Sequence, residues 1–153
     1  MKIKFSHFQR PSLNWQATQQ LRFDVFVTEQ SVPESLEIDE LDKTAEHFIA
    51  KDSNKIIATL RIVKLNNTAK LGRLAVAKAY RHKKIATRLI TYAEDYCRQQ
   101  GIDVIQLGAQ ITAKDFYKRL GYKEYGDIFI DAGIPHISMR KAILRAIDIQ
   151  GGK

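Results

Sequence analysis

Four consecutive basic residues lie between a strand pattern and a helix pattern; they are Arg81, His82, Lys83 and Lys84. The strand pattern covers 71–76 with one irregular step, and the helix pattern begins at about His82. A helix start presents free backbone N–H groups and the positive end of the helix dipole, and both attract anions. We therefore predict that this turn binds the pyrophosphate of a nucleotide cofactor. The structural alternative is a buried strand followed by a solvated basic helix start.

Charge is distributed unevenly along the chain. The 153 residues contain 25 Lys and Arg against 17 Asp and Glu, a net charge of +8. The segment 29–46 is acidic, whereas 78–88 is wholly basic. One acidic and one basic region favour an enzyme that binds an anionic cofactor and a cationic acceptor over a uniform nucleic-acid binder.

Composition predicts a soluble globular chain in the cytoplasm. Apolar residues make up 44% and charged residues 27% of the chain, and no apolar run reaches the roughly 20 residues that span a bilayer. The N-terminal residues lack the apolar core of a secretory signal. Cys97 is the single cysteine, so no internal disulfide forms, and a structural role on a helix is expected for it.

Periodicity predicts the elements that position the basic turn. The chain begins with a strand, which is followed by an amphipathic helix with Leu13, Ala17, Leu21 and Val25 on one face. A long acidic loop, an antiparallel meander and the strand that leads into the basic turn come next. A second buried strand then lies parallel to the first by a right-handed crossover, followed by a helix and a strand pair. The segments are 2–8, a helix from 14, 31–44, 47–50, 55–63, 71–76, 82–100, 103–107, 112–120, 122–130, 136–139 and a tail helix within 141–153.

Several motifs carry a resemblance to a known family. They are Arg73-Leu-Ala-Val76, Arg81-x-x-Lys84-x-Ala86, Gln110 and Phe116-Tyr117-x-x-x-Gly121-Tyr122. In this order they resemble the GNAT superfamily of acyl-CoA-dependent N-acyltransferases. Three further motifs resemble its ElaA-type subgroup: Leu21-Arg-x-x-Val-Phe-Val-x-Glu-Gln30, Leu107-Gly-Ala-Gln110 and Ile134-Pro-His-Ile-x-Met139. The resemblance implies one α/β domain over 1–153, with helices flanking a central, mostly antiparallel sheet that contains one splayed parallel pair, 71–76 and 103–109.

The resemblance also implies transfer of an acetyl group from acetyl-CoA to a primary amine. The cofactor is expected in the cleft where the two parallel strands diverge. Backbone groups of Leu74, Ala75 and Val76 would hold the pantetheine and the thioester oxygen. The pyrophosphate would be held by Arg81, His82, Lys83, Lys84, Ile85, Ala86 and Thr87. Phe116 belongs to the second cofactor motif, and Gln110, also assigned to cofactor binding, stands where the family often has an asparagine. Lys84 stands where the family pattern has glycine, so a departure from that pattern is expected there.

Acyl transfer from a thioester needs a proton donor for the thiolate and an acceptor for the amine proton. Tyr117 is the candidate acid, because a tyrosine hydroxyl is protonated at neutral pH; otherwise Phe116 and Tyr117 are core aromatics. Glu29 and His136 are candidate bases, each with a structural alternative. A water-relayed transfer without a single essential base is the third possibility.

The histidines and the cysteine lack ligand spacing, so no metal site is predicted. The acidic segment suggests a cationic acceptor, either a small amine or a lysine side chain; no nucleic-acid or membrane partner is expected, and a homodimer is left open. Two alternatives remain. One is a non-catalytic acyl-CoA sensor on the same fold, and the other is a basic nucleic-acid-binding domain, which would show steep salt dependence.

Overall fold

The computed structural model describes residues 1–143. Residues 141 and 142 extend the last strand, and the rest of the predicted tail helix lies outside the described residues. Within residues 1–143, no helix has the length and apolar character needed to cross a lipid bilayer.

Seven strands form one mixed sheet in the order β1-β2-β3-β4-β5-β7-β6. The strands are β1 Ile3–Phe8, β2 Glu46–Asp52, β3 Lys55–Leu65, β4 Thr68–Val76, β5 Val104–Gln110, β6 Lys123–Asp131 and β7 Ile134–Ala142. The helices are α1 Trp15–Arg22, α2 Glu34–Glu37, α3 Ile85–Gln99 and α4 Lys114–Arg119, with a π-helical segment at Phe23–Glu29 and 3-10 turns at Glu40–Lys43, Lys78–Tyr80 and Ile111–Ala113. The predicted α/β fold with one parallel pair is confirmed.

Contacts group the chain into two compact units, the first of which comprises 1–63 and 72–93. Here β1, β2 and β3 pair as an antiparallel meander. The first unit buries apolar side chains from the meander and from α3, namely Phe48, Ile49, Ile57, Leu60, Ile62, Leu89 and Ile90. Burial of these side chains is what holds α3 against the meander and so fixes where the helix begins.

The second unit comprises 64–71 and the chain from Glu94 onward. The parallel pairing of β4 with β5 is three residues long, from Thr68 opposite Val104 to Lys70 opposite Gln106. By contrast, β5 pairs with β7 along its whole length. The hairpin between β6 and β7 turns through Ala132 and Gly133, which both have positive φ, as a two-residue hairpin turn requires.

The first helix buries only part of the predicted face. Leu13 is 102% exposed and precedes α1, and Ala17 is exposed as well. The buried positions are Thr18, Leu21, Arg22 and Val25. The prediction is confirmed for Leu21 and Val25 and wrong for Leu13 and Ala17, because a pattern of apolar residues misses polar side chains that are buried with internal partners.

The acidic segment 31–44 is not the open loop that was predicted. It contains α2 and a 3-10 turn, whose cap Asp39 accepts a hydrogen bond from Leu41 N–H at 3.1 Å. Glu37 and Asp42 are buried and ion-paired with arginines. Because these carboxylates are neutralised internally, they give no support to the cationic acceptor inferred from the segment.

Candidate functional site: a basic turn and a tyrosine–histidine pair

The basic turn is a sharp reversal between β4 and α3. Arg81 is extended, whereas His82 and Lys84 have φ values of +62° and +64°. The first backbone hydrogen bond of the helix runs from Arg88 N–H to Lys84 C=O at 3.1 Å. The N–H groups of Ile85–Thr87 therefore have no partner within the helix, as expected for a first turn.

Lys84 occupies the left-handed region that glycine adopts readily. This conformation costs a non-glycine residue about 1 kcal/mol. Lys84 nevertheless adopts it, so the backbone of the turn keeps a shape that glycine would also allow. Lys83 and Lys84 are both exposed, and neither forms an ion pair within residues 1–143. No acidic residue lies in the first turn of α3. The turn therefore offers two unpaired ammonium groups beside free N–H groups, an arrangement suited to an anion.

The guanidinium of Arg81 is engaged by protein partners within the first unit. Its Nε donates to the Val76 carbonyl at 2.9 Å. Its Nη1 and Nη2 donate to the two carboxylate oxygens of Glu29 at 2.9 and 2.6 Å. Arg81 thus links the end of β4 to the end of the π-helical segment. Sequence reasoning assigned it to the pyrophosphate and missed this brace, because Glu29 lies 52 residues away in the chain.

The same contact bears on Glu29 as a general base. The hydrogen bond and charge of Arg81 lower the pKa of Glu29. A carboxylate held in its ionised form by a bidentate arginine is a weaker proton acceptor. The geometry therefore gives Glu29 a structural task and makes it the weaker of the two candidate bases.

The end of β4 has the irregular step that the sequence predicted. Arg73 has a φ of +54° inside the strand. Of the three residues that follow, Ala75 is buried, and Leu74 and Val76 are partly exposed. These three residues therefore lie between the kink and the basic turn.

In the second unit, the chain leaves β5 at Gln110 and enters α4 through a 3-10 turn. Phe116 and Tyr117 lie on α4, with their rings in an edge contact at 5.1 Å between centroids. Tyr117 is only 7% exposed, and burial raises the pKa of its hydroxyl. Within residues 1–143 that hydroxyl makes no hydrogen bond. Among the described residues it is therefore a protonated donor without a partner.

Tyr122 shows what a structural tyrosine looks like in the same unit. Its ring packs edge-on against Tyr117 at 5.9 Å. Its hydroxyl donates to Glu94 at 2.9 Å, and Lys141 Nζ donates to both oxygens of Glu94 at 3.1 Å. The hydroxyl of Tyr122 is thus committed to the fold, whereas that of Tyr117 is available to a ligand.

His136 lies on β7, opposite Gln110 in the register with β5. Its Nδ1 is 2.7 Å from the Ile134 carbonyl. A carbonyl only accepts, so Nδ1 carries the proton and the Nε2 of the neutral ring has a free lone pair. Within residues 1–143, Nε2 has no hydrogen-bond partner. His136 is thus oriented as a base would be.

The ring of His136 is fixed by a neighbour that sequence reasoning did not single out. Phe129 stacks on it, with 5.6 Å between centroids and 24° between planes. A Cβ atom added at Gly108 would lie 3.2 Å from Phe129 Cζ. The absence of a side chain at Gly108 therefore leaves space for the stacked rings of Phe129 and His136. In the sequence, the glycine of the motif Leu107-Gly-Ala-Gln110 was the feature that could have indicated this packing.

A hollow of about 300 Å³ lies between α1 and α2 in the first unit. Its lining includes Gln16, Gln19, Phe23 and Glu34. Glu34 has neither an ion pair nor a hydrogen bond within residues 1–143. A free carboxylate beside amides and an aromatic ring suits a small amine.

The fold and the comparisons with known proteins together define an acyltransferase of the GNAT class. The model of the family described as an acetyltransferase (GNAT) domain matches residues 13–143, and the chain belongs to this family. YjcF of Bacillus subtilis, an uncharacterized N-acetyltransferase, is 36% identical over 122 residues, which cover 79% of this chain and 87% of YjcF. ElaA of Escherichia coli is 30% identical over 132 residues, or 83% of this chain and 86% of ElaA. The predicted ElaA-type resemblance is confirmed.

Solved structures agree. An acyl-CoA N-acyltransferase from Pseudomonas aeruginosa superposes with a TM-score of 0.84 at 27% identity, covering 92% of this chain and 100% of that one. Escherichia coli ElaA gives 0.82 at 28% identity, covering 92% and 99%. An N-acetyltransferase of Thermoplasma acidophilum in complex with coenzyme A gives 0.74 at 19% identity, covering 94% and 100%, a likeness in fold alone.

Proposed function

We propose that this protein transfers an acetyl group from acetyl-CoA to a primary amine by direct attack on the thioester. The observation that carries the proposal is the basic turn of a chain of the GNAT family: helix N–H groups without a partner in the helix lie there beside Lys83 and Lys84, which have no ion pair within residues 1–143. These groups suit the pyrophosphate of coenzyme A. The proposal treats 1–153 as one N-acetyltransferase domain. It also places the protein in the cytoplasm, where the buried free thiol of Cys97 stays reduced.

Each proposed role follows from a local environment. Leu74–Val76 provide backbone groups for the pantetheine and the thioester oxygen, and residues 82–87 hold the pyrophosphate. Gln110 and Phe116 complete the cofactor contacts. The amine nitrogen attacks the carbonyl carbon, an N–C bond forms and the C–S bond breaks.

Two residues handle the protons. The amine's proton goes to Nε2 of His136, whose tautomer the Ile134 carbonyl already selects. The departing thiolate takes a proton from the hydroxyl of Tyr117, which has no protein partner to compete for it within residues 1–143. The hollow with Glu34 is the proposed place for the acceptor, which would be a small polar amine.

Calorimetric titration with acetyl-CoA tests the central claim, followed by an amine panel monitored for free thiol. We expect micromolar binding, and weaker binding by about 10-fold or more for Lys83→Glu, because a charge-assisted contact to phosphate is lost. Lys123→Glu, an exposed position on β6 with the same change of charge, is the control.

The outcomes separate the alternatives. Absence of acetyl-CoA binding overturns the proposal. Binding without thiol release from any amine favours the sensor. Equal weakening by Lys83→Glu and Lys123→Glu would mean that long-range charge, and not the basic turn, governs binding.

A further inference from the structure

A buried ion network runs through the first unit and begins on α1. Arg22 is 1% exposed and Asp42 is 0% exposed. Arg22 Nη1 donates to Asp42 Oδ1 at 2.7 Å, and Arg22 Nε donates to the two oxygens of Glu37 at 3.0 and 3.2 Å. Such groups are stable in a protein interior only when every charge is paired.

The network continues outward to the meander. Arg61 Nη1 donates to Asp42 Oδ1 at 2.9 Å and to Asp39 Oδ1 at 2.7 Å. Arg73 Nη2 then donates to Asp39 Oδ2 at 3.2 Å. Three guanidinium groups thus face three carboxylates, and the charges balance.

Arg73 is the outermost member and the one that reaches β4. Its side chain is 26% exposed. Besides Asp39, it binds the backbone of α2: Nε donates to the Glu37 carbonyl at 3.1 Å and Nη2 to the Leu36 carbonyl at 3.3 Å. One side chain therefore ties the kinked residue of β4 to the segment 36–39.

The kink needs such a tie. Arg73 has a φ of +54°, a conformation that is strained for a non-glycine residue and persists only where the surroundings hold it. The residues immediately after it, Leu74–Val76, are those assigned to the thioester. A relaxed strand at position 73 would change the direction of their backbone groups.

We propose that Arg73 is a positioning residue, which holds the kink of β4 through Asp39 and the backbone of α2 so that the next residues meet the thioester in a productive orientation. The inference rests on the proposed acetyl transfer. It assigns Glu37, Asp39 and Asp42 of the acidic segment to the control of β4.

The network itself suggests variants that keep the fold. Loss of Arg22 or Asp42 would leave a buried charge without its partner, which strongly destabilises a fold. Arg73 is partly exposed, and its removal leaves the Arg61–Asp39 pair intact. Arg73→Gln and Asp39→Asn are therefore the informative changes.

The test measures kcat, acetyl-CoA affinity and the backbone chemical shifts of residues 73–76. For Arg73→Gln we expect kcat to fall by about 10- to 100-fold, because small misplacements of reacting groups are costly. Acetyl-CoA affinity should change by less than about 3-fold, since the basic turn is untouched. The shifts of residues 73–76 should move, whereas Arg98→Gln, which breaks the exposed helical pair with Asp95, should leave every value unchanged.

A double-mutant cycle of Arg73→Gln and Asp39→Asn tests whether the two residues act on kcat together or independently. If Arg73 acts through Asp39, the double variant loses no more kcat than the more damaging single change. Wild-type kcat in both single variants would overturn the inference while leaving the acyltransfer intact. Failure of the wild type to bind acetyl-CoA would instead overturn the proposed function. If Arg73→Gln does not fold, Asp39→Asn alone decides: unchanged kcat contradicts the role and a reduced kcat supports it.

Discussion

Two tyrosines five positions apart differ in what their hydroxyls contact. Tyr122 donates to Glu94, which Lys141 also binds, whereas Tyr117 has no partner within residues 1–143. Both pKa values are raised by burial, so both hydroxyls keep their protons far above neutral pH. Only the hydroxyl of Tyr117 is free to give its proton to a ligand.

Tyr117→Phe should lower kcat by about 100-fold, the range typical of a lost general acid. Acetyl-CoA affinity should stay within about 2-fold, because the ring remains. Steady-state kinetics with the thiol assay, beside calorimetry, measure both.

Tyr122→Phe is the matched control for Tyr117→Phe. It also removes one buried hydroxyl. The free energy of unfolding should fall by about 1–3 kcal/mol, because Glu94 loses a hydrogen-bond donor, whereas kcat should stay unchanged. Equal kcat losses in the two variants would mean that Tyr117 matters only for packing.

Residue identities alone did not separate these roles. The sequence singled out Tyr117 and His136, but not the free Nε2, the stack of Phe129 or the space left at Gly108. Such features depend on which side chains face each other across β5, β6 and β7, and that register is set by tertiary pairing.

At the scale of elements, the brace between Glu29 and Arg81 joins the end of one helical segment to the turn that begins another. Glu29→Gln keeps the shape but removes the charge. We expect acetyl-CoA affinity to fall by about 2- to 5-fold, as for a partly exposed ion pair, with kcat nearly unchanged. Calorimetry and single-turnover rates measure the two effects separately.

The control is Glu40→Gln, which removes an exposed pair with Lys43 and should change neither value. A kcat loss of about 100-fold or more in Glu29→Gln, with normal affinity, would restore Glu29 as the general base. A structural brace therefore predicts a loss of acetyl-CoA affinity in Glu29→Gln, whereas a general base predicts a loss of kcat.

Local patterns predicted most elements because strands and helices are set by periodicity and turn residues. The meander, the kink in β4, the parallel strand and the long helix ending at Gly101, with a φ of +78°, all followed from such signals. The acidic segment did not, because α2 is a single turn that depends on contacts from the distant Arg22 and Arg73. Charge in a sequence looks like exposed charge until its partners are known.

At the scale of the whole molecule, the buried network makes stability depend on acid. Burial opposes ionisation of Asp42, but the hydrogen bonds and charges of Arg22 and Arg61 outweigh it and lower its pKa to about 2. Burial also lowers the pKa of His47, whose Nε2 donates to the Asp42 carbonyl and whose Nδ1 has no partner. In both cases the unfolded chain takes up the proton first, so acid favours unfolding.

Urea unfolding at several pH values should therefore show two losses of stability. The first begins as the pH falls below about 6.5, where an unfolded His47 becomes charged. The second begins below about 4 and is complete near pH 2, as Asp42 protonates. His47→Gln should remove the first loss and keep the second.

The outcome that contradicts this prediction is a His47→Gln curve that runs parallel to the wild type between pH 7.5 and 5. Retention of both losses in the variant would mean that another group dominates the upper window.

The π-helical segment determines which arginine each end of the first helix can reach. In a regular α-helix, residues seven apart project from nearly the same side, so Arg22 and Glu29 would share one partner. The wider turn, seen in the Gln30 N–H to Val25 C=O bond at 3.2 Å, changes the rotational phase between them. Arg22 faces the buried carboxylates, and Glu29 faces Arg81. A regular α-helix of the same length through Phe23–Glu29 would turn Arg22 and Glu29 toward one side, so the two pairings could not both form even though none of the residues that make them had changed.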